Sequence, residues 1–124
     1  MNVVDSSAWL EFFADGPNAG QFAKAITDIA RLVVPSITLL EVFKRILQQR
    51  DTNAALRAIA AMRQGRVVDL DVEIALSAAK LGLTHKLPLA DSVILATARK
   101  HRASIWTQDA DFEGLESVRY FAKK

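Results

Sequence analysis

Residues 87–112, "LPLADSVILATARKHRASIWTQDADF", combine a helical pattern, a short apolar strand and a polar turn. On a helical wheel Asp91 falls on the side that a helix normally buries. The same side carries Ile94, Leu95 and Ala98. A first-turn carboxylate gains about 0.3–1 kcal/mol from the helix dipole, but an unpaired charge on an apolar face costs far more. Asp91 therefore needs a partner that explains its burial.

Short apolar runs alternate with longer helical patterns along the rest of the chain. Four runs predict strands, and the second is stopped by Pro35: "NVV" (2–4), "RLVV" (31–34), "RVVDL" (66–70) and "SIW" (104–106). A run near the end, "VRYF" (118–121), is a candidate fifth strand. Strands that alternate with helices predict an α/β fold with a mainly parallel sheet of four to five strands, covered on both faces.

Six helical patterns connect these strands. They cover residues 6–13, 18–30, 37–49, 52–64, 72–86 and the segment that holds Asp91. Ser36, Asp51 and Asp71 are predicted N-caps of the third, fourth and fifth helices. Gly65 is expected to end the fourth helix, and Pro88 to lie in the first turn of the sixth.

The composition indicates one compact domain over residues 1–124. The chain has 51% hydrophobic residues and a net charge of only +2, which permits a nucleic-acid partner without demonstrating one. The absence of cysteine excludes disulfides, thiolate zinc sites and thiol nucleophiles, and fits a reducing compartment. With no signal peptide and no apolar run long enough to span a bilayer, the expectation is a soluble, cytoplasmic protein without a membrane partner.

Four carboxylates are placed where the carboxyl ends of parallel strands would meet. Asp5 follows the first strand, Glu41 lies in the second turn of the helix after the second strand, Asp91 opens its own helix, and Asp109 follows the fourth strand. In open α/β sheets, ligands bind in the crevice at this edge. The four acids are therefore candidates for a single site.

Each acid also has a purely structural explanation. Asp5 could cap the helix that begins at Ser6, and Glu41 could pair with Arg45 on a solvated helix face for about 0.2–0.5 kcal/mol. Asp91 could interact with the helix dipole, and Asp109 could be an ordinary turn residue. These explanations do not account for the four acids as a group.

A divalent cation would account for the group. Two carboxylates 4 Å apart repel by about 4 kcal/mol at an effective dielectric of 20, and Mg²⁺ is a hard cation that prefers oxygen ligands. Such a site suits phosphodiester hydrolysis, in which the metal lowers the pKa of a bound water and stabilises the attacking and leaving oxygens. One of the acids could take the proton of the attacking water.

At these residues the chain resembles the PIN-domain ribonucleases, and among them the VapC-type toxins of type II toxin-antitoxin pairs. The resemblance rests on "VVDSSAWLEFF" (3–13), "PSITLLEV" (35–42) and the opening stretch, which leads into a Thr-x-Asp turn. It implies a PIN-like three-layer α/β/α sandwich and an Mg²⁺- or Mn²⁺-dependent endoribonuclease. It also implies a homodimer, and inhibition by a cognate antitoxin whose C-terminal segment occupies the acidic groove.

The resemblance also implies roles for individual residues. Asp5, Glu41, Asp91 and Asp109 correspond to the catalytic acids of the family, and the three aspartates to its metal ligands. Ser6 and Thr107 correspond to hydroxyl residues that support the site. Asp111, in "TQDADF", could replace Asp109 as the fourth acid or add a further carboxylate.

Basic residues on two helices could contact the RNA backbone. Lys44 and Arg45 lie in "KRILQQR", and Arg99 lies in "ARKHR". Cations of this kind bind phosphates without reading sequence. Solvated helix faces would have the same composition.

Two alternatives belong to other functional classes. A phosphoacceptor receiver domain has a similar length and a Mg²⁺ site at strand ends. Such a domain has an acidic pair after its first strand, whereas this chain has Asp5 followed by two serines. The aspartates at 69 and 71 are explained as a turn residue and an N-cap. A catalytically silent PIN-like module that binds RNA or protein is the other alternative, and it is expected to have lost one of the acids.

Overall fold

The computed structural model describes residues 1–124 and is built around a five-stranded sheet. The strands are β1 (Asn2–Val4), β2 (Leu32–Pro35), β3 (Arg66–Val68), β4 (Ser104–Thr107) and β5 (Val118–Tyr120). They lie in the order β3-β2-β1-β4-β5, and every neighbouring pair is parallel. The predicted α/β class, the parallel sheet and the fifth strand are confirmed. All five carboxyl ends consequently lie along one edge.

Six helices cover the two faces of this sheet. They are α1 (Ser6–Phe13), α2 (Ala19–Ile26), α3 (Ser36–Gln49), α4 (Thr52–Met62), α5 (Val72–His85) and α6 (Leu89–Lys100). Short 3₁₀ turns occupy Ile29–Arg31 and Ala110–Phe112. None of the helices combines the length and apolarity needed to cross a bilayer.

The hydrophobic core has two parts, one on each face of the sheet, because side chains alternate between the faces along each strand. Val4 belongs to a cluster with buried side chains of α1, α2, α3 and α4, such as Trp9 and Phe22. Its neighbour Val3 belongs to a second cluster with Ile94 and other residues of α6. Successive side chains of a strand point to opposite faces, so the molecule has the expected three layers, α/β/α.

The helix boundaries confirm some of the predicted caps and correct others. Asp51 and Asp71 cap α4 and α5, accepting hydrogen bonds from the backbone N–H groups of Ala54 and Ile74 at 2.8 Å. Ser36 is not an N-cap. It is the first residue of α3, because β2 extends through Pro35 and leads directly into the helix.

Three further boundaries differ from the sequence-based prediction. The helix predicted over 18–30 ends at Ile26 and is followed by a separate 3₁₀ turn. The helix predicted to reach residue 64 ends at Met62. Pro88 is the N-cap of α6 and not a residue of its first turn. Helix ends commonly vary by one or two residues, which covers the last two of these differences.

Candidate active site

Asp5 joins β1 to α1 and is held by several donors. Its Oδ1 accepts hydrogen bonds from the backbone N–H of Ala8 at 3.0 Å and the hydroxyl of Ser7 at 2.9 Å. Its Oδ2 accepts from the hydroxyl of Thr107 at 2.9 Å. Asp5 therefore caps α1, as the structural explanation predicts, and also lies at the carboxyl edge of the sheet with only 2% of its surface exposed.

Asp91 lies in the first turn of α6 and is 9% exposed. Its pKa is raised to about 8, first by burial and then by the negative charges of Asp109, Asp5, Asp111 and Glu41. It forms no ion pair with a Lys, Arg or His side chain. The fold thus gathers all four predicted acids, together with Asp111, around one buried carboxyl group.

The turn after β4 supplies two of these acids. Asp109 caps the 3₁₀ turn and accepts a hydrogen bond from the backbone N–H of Asp111 at 2.9 Å. Its own N–H donates to the hydroxyl oxygen of Thr107 at 2.8 Å. Since Thr107 also donates to Asp5, this one hydroxyl links the end of β4 to the end of β1.

Glu41 reaches the same edge from the second turn of α3. Its Oε1 accepts a hydrogen bond from the hydroxyl of Ser6 at 2.6 Å, and the glutamate is half-buried. It forms no ion pair with Arg45. This hydrogen bond joins Ser6, a predicted supporting hydroxyl residue, to Glu41, one of the four predicted acids.

Burial also raises the pKa of Asp5, to about 6. The hydrogen bonds from Ser7, Ala8 and Thr107 act in the opposite direction, and the charge of Asp109 adds to the increase. Two of the five carboxyl groups are consequently protonated more readily than free aspartate. Without a bound cation, the folded protein resists full ionisation of this cluster.

The donor set fits a hard divalent cation. Asp91, Asp109 and Asp111 each offer a carboxylate oxygen, and these three oxygens lie within 4.8 Å of one another. All are oxygen ligands, as Mg²⁺ prefers. Asp111 stands in this group where the sequence analysis placed Asp5, whose carboxylate is already occupied by hydroxyl and backbone donors. Both aspartates of the "TQDADF" turn therefore lie at the site.

The predicted phosphate-binding residues are scattered. Arg45 lines a cavity of about 520 Å³ beside the acidic edge, and Lys44 is exposed on α3. Arg99 lies eight residues after Asp91, about 12 Å farther along the helix, at the opposite end of α6. The structure does not bring Arg99 to the acidic cluster.

A buried amide network next to the site was missed by the sequence analysis. The side-chain NH₂ of Asn18 donates to Oε1 of Gln108 at 3.1 Å and to the carbonyl of Ala122 at 3.0 Å. Asn18 lies in "DGPN", which reads as an ordinary turn, and its partners follow about ninety residues or more later in the chain. No local signal in the sequence could have paired them.

The model of the PIN domain family matches residues 3–117. The chain therefore belongs to the PIN-domain family. The phosphoacceptor receiver alternative is wrong, since flavodoxin-like receivers have the strand order 2-1-3-4-5, which differs from the order found here. No curated protein sequence matches the chain.

Solved structures share this fold over nearly the whole chain. A toxin-antitoxin complex from Klebsiella pneumoniae has a TM-score of 0.84 at 23% identity, over 98% of this chain and 99% of the other. The sarcin-ricin loop cleaving toxin VapC20 from Mycobacterium tuberculosis has a TM-score of 0.78 at 19% identity, over 96% and 99%. DNA-bound VapBC from Salmonella typhimurium has a TM-score of 0.73 at 17% identity, over 98% of each chain.

Proposed function

We propose that this protein is the toxin of a toxin-antitoxin pair and acts as a metal-dependent endoribonuclease, with Mg²⁺ as its cofactor and Mn²⁺ as a substitute. The observation that carries the proposal is the cluster of five carboxyl groups at the carboxyl edge of the sheet, in which Asp91 is buried and forms no ion pair with a cationic side chain. The similarity to a toxin that cleaves the sarcin-ricin loop supports RNA as the substrate.

Asp91, Asp109 and Asp111 would hold the metal. Asp5, whose negative charge helps to raise the pKa of Asp91, is the candidate for a further ligand, directly or through water. When bound, a divalent cation lowers the pKa of a coordinated water and stabilises the attacking and leaving oxygens of the phosphodiester. Hydrogen bonds within the protein orient the carboxylates of Asp5 and Asp109 before the substrate arrives. Thr107 and Ser7 orient Asp5 through their hydroxyl groups.

Glu41 is the candidate for accepting the proton of the attacking water. Its Oε1 is occupied by the Ser6 hydroxyl, which fixes the orientation of the side chain. Its Oε2 takes part in no hydrogen bond within the protein and can accept the proton. Attack by water on phosphorus then releases a 3′-hydroxyl and leaves a 5′-phosphate on the other product.

The same proposal includes a cognate antitoxin, a homodimer and a cytoplasmic location. Complexes with this fold from Klebsiella and Salmonella support the antitoxin. Co-purification of an inhibitory protein from the native cell would agree with it, and recovery of the chain alone would not. Exposed apolar residues on α5 and α6, such as Leu83 and Leu89 at 84% exposure each, support a dimer contact. Sedimentation as a monomer would contradict that contact.

Cleavage of a structured RNA pool tests the activity. The purified protein is incubated with Mg²⁺ or Mn²⁺, with EDTA, and in parallel as the Asp91→Asn variant, and the product ends are mapped. We expect cuts that leave 5′-phosphates, require metal and disappear in the variant. Equal cleavage by the variant would overturn the role of the acidic cluster. RNA binding without cleavage by the wild type would favour the silent binding module.

A further inference from the structure

A cavity of about 520 Å³ opens beside the acidic cluster, between α1, α3, α4 and the end of the chain. Its volume lies within the range of roughly 300–1,000 Å³ that is typical of ligand pockets. Ser7 and Gln108 line it. Ser7 donates a hydrogen bond to Asp5, and Gln108 stands between Thr107 and Asp109. None of the five acids lines the cavity, but a ligand in it would contact residues that hold Asp5 and directly precede Asp109.

The cavity is strongly cationic, in contrast to the cluster beside it. Arg45, Arg50, Arg57 and Lys123 line it, against a single carboxylate, that of Glu11. None of the four cations forms an ion pair within the protein. A concentration of unpaired positive charge attracts polyanions and raises their local concentration.

The wall that carries Lys123 is held in place by the active-site edge. The backbone N–H of Phe121 donates to the carbonyl of Thr107 at 2.9 Å. The Asn18 amide donates both to Gln108 and to the carbonyl of Ala122. The buried amide network therefore positions the last residues of the chain against the cavity.

Apolar side chains form the remaining surface. Leu10 and Phe13 of α1 and Ile46 of α3 line the cavity together with small residues of α4. Such a surface suits the face of a nucleobase, which stacks on apolar and aromatic side chains without regard to sequence. The combination of cations and an apolar wall matches a nucleotide better than a free inorganic anion.

We propose that this cavity binds the nucleotide adjoining the cleaved phosphodiester, with Arg45, Arg50, Arg57 and Lys123 contacting the RNA backbone. The proposal rests on the proposed ribonuclease function. The cations also offset the repulsion that an RNA backbone meets on approaching five carboxyl groups. A polypeptide that neutralised the acids would bring cations of its own, which the cavity would repel, so charge favours RNA over protein as the occupant.

The test compares two double variants that remove the same charge. Arg50→Gln with Arg57→Gln alters the cavity, and Arg31→Gln with Arg63→Gln alters exposed cations that do not line it. Arg50→Lys with Arg57→Lys retains the charge, so a loss seen only in the glutamine variant reflects charge and not a folding defect. Steady-state cleavage is measured on one RNA. In the Asp91→Asn background, affinity for a single-stranded oligoribonucleotide is measured as a function of salt.

We expect the cavity variant to raise KM about tenfold with little change in kcat, because phosphate contacts contribute to binding. Two lost contacts should make the dependence of log K on log salt shallower by about 1.4, at about 0.7 for each single-strand phosphate. The control variant should match the wild type in both measurements. The lysine variant should restore most of the affinity.

Equal KM and equal salt dependence for the cavity and control variants would overturn the proposal and leave a polypeptide as the occupant. Because binding is measured on an inactive background, the two proposals can fail separately. If the wild type cuts no RNA but the cavity variant shows the shallower salt dependence, the cavity is upheld only as an RNA-binding site and the nuclease function fails. If the wild type cuts RNA and the cavity variant is unchanged, the opposite holds.

Discussion

Carboxylates lie at both ends of helix α6 in opposite surroundings: Asp91 belongs to its first turn, and Asp71 caps α5 beside its last turn. At its first turn, Asp91 is buried among other acids and its pKa is raised to about 8. At its last turn, the Lys100 ammonium contacts Asp71 at 3.1 Å and Glu73 at 3.3 Å. The pKa of Asp71 is lowered, chiefly by the backbone N–H of Ile74 and then by Lys100.

This difference separates acids that stabilise the fold from acids that do not. Asp71 caps a helix and pairs with a cation, so its ionised form favours the folded state. The ionised form of Asp91 is disfavoured by burial and by its neighbours. The metal proposed above would reverse this balance by favouring the ionised form of Asp91.

The largest expected effect comes from making the same substitution at Asp91 and at Asp71. Asp91→Asn should lower RNA cleavage by more than about 100-fold, since losing even the residues that orient metal ligands costs about 10–100-fold. Asp71→Asn should leave cleavage unchanged, because Asp71 caps α5 and contacts Lys100, at the end of α6 far from Asp91. Initial rates at saturating Mg²⁺ measure both. Comparable rates for the two variants would contradict the distinction.

A smaller loss is expected from the hydroxyl that links β1 to β4. Thr107→Val removes a donor to Asp5 and the acceptor for the N–H of Asp109, and should lower cleavage about 10–100-fold. Thr97→Val is the matched control, since Thr97 is also buried but its hydroxyl donates only to the carbonyl of Val93 in its own helix. Equal activity of both variants would show that Thr107 has only a packing role.

Local patterns in the sequence predicted the elements and the burial of Asp91, but not the whole acidic group. The N-caps at Asp51 and Asp71 and the five strands follow from local patterns, and the helical wheel alone placed Asp91 on the buried side. The entry of Asp111 into the group with Asp91 and Asp109 depends on how the 3₁₀ turn folds back after β4. The wheel could not show this, because it contains no information on tertiary contacts.

The same limit explains the boundary at Pro35 and the buried amide of Asn18. Ser36 has the residue type of an N-cap, but β2 runs straight into α3 and leaves no separate capping position. Asn18 finds its partners near the other end of the chain. Residue preference predicts elements, whereas long-range contacts decide where they end and what they bring together.

The acidic cluster should also make the metal-free protein less stable as the pH rises. For an acid whose pKa is raised on folding, the folded state binds more protons between the unfolded and folded values, so the free energy of unfolding falls with pH there. For Asp5 this window runs from 3.8 to about 6, and for Asp91 from 3.8 to about 8. Asp71 has the opposite shift and loses its contribution only as the pH falls below its unfolded value.

Thermal unfolding in EDTA between about pH 5 and pH 8 measures this effect. We expect Tm to fall across the interval and Asp91→Asn to remove most of the fall. Added Mg²⁺ should raise Tm more at the upper end, because its carboxyl ligands must be deprotonated. A Tm that rises with pH in EDTA, or a fall that persists unchanged in the variant, would show that the cluster does not oppose folding.

The smallest expected effect comes from a comparison of the N-caps of α4 and α5. Asp51 and Asp71 each accept a backbone hydrogen bond at 2.8 Å, and only Asp71 also pairs with Lys100. Replacing either by Ala should lower the free energy of unfolding, because the cap is lost. The loss should be only slightly larger for Asp71→Ala, because exposed ion pairs contribute little, and this excess should shrink at high salt. Urea unfolding at two salt concentrations measures it. An excess that salt does not reduce would mean that Asp71 stabilises α5 through packing and not through its ion pair with Lys100. The surroundings of Asp71 and Asp91 would then differ in more than charge.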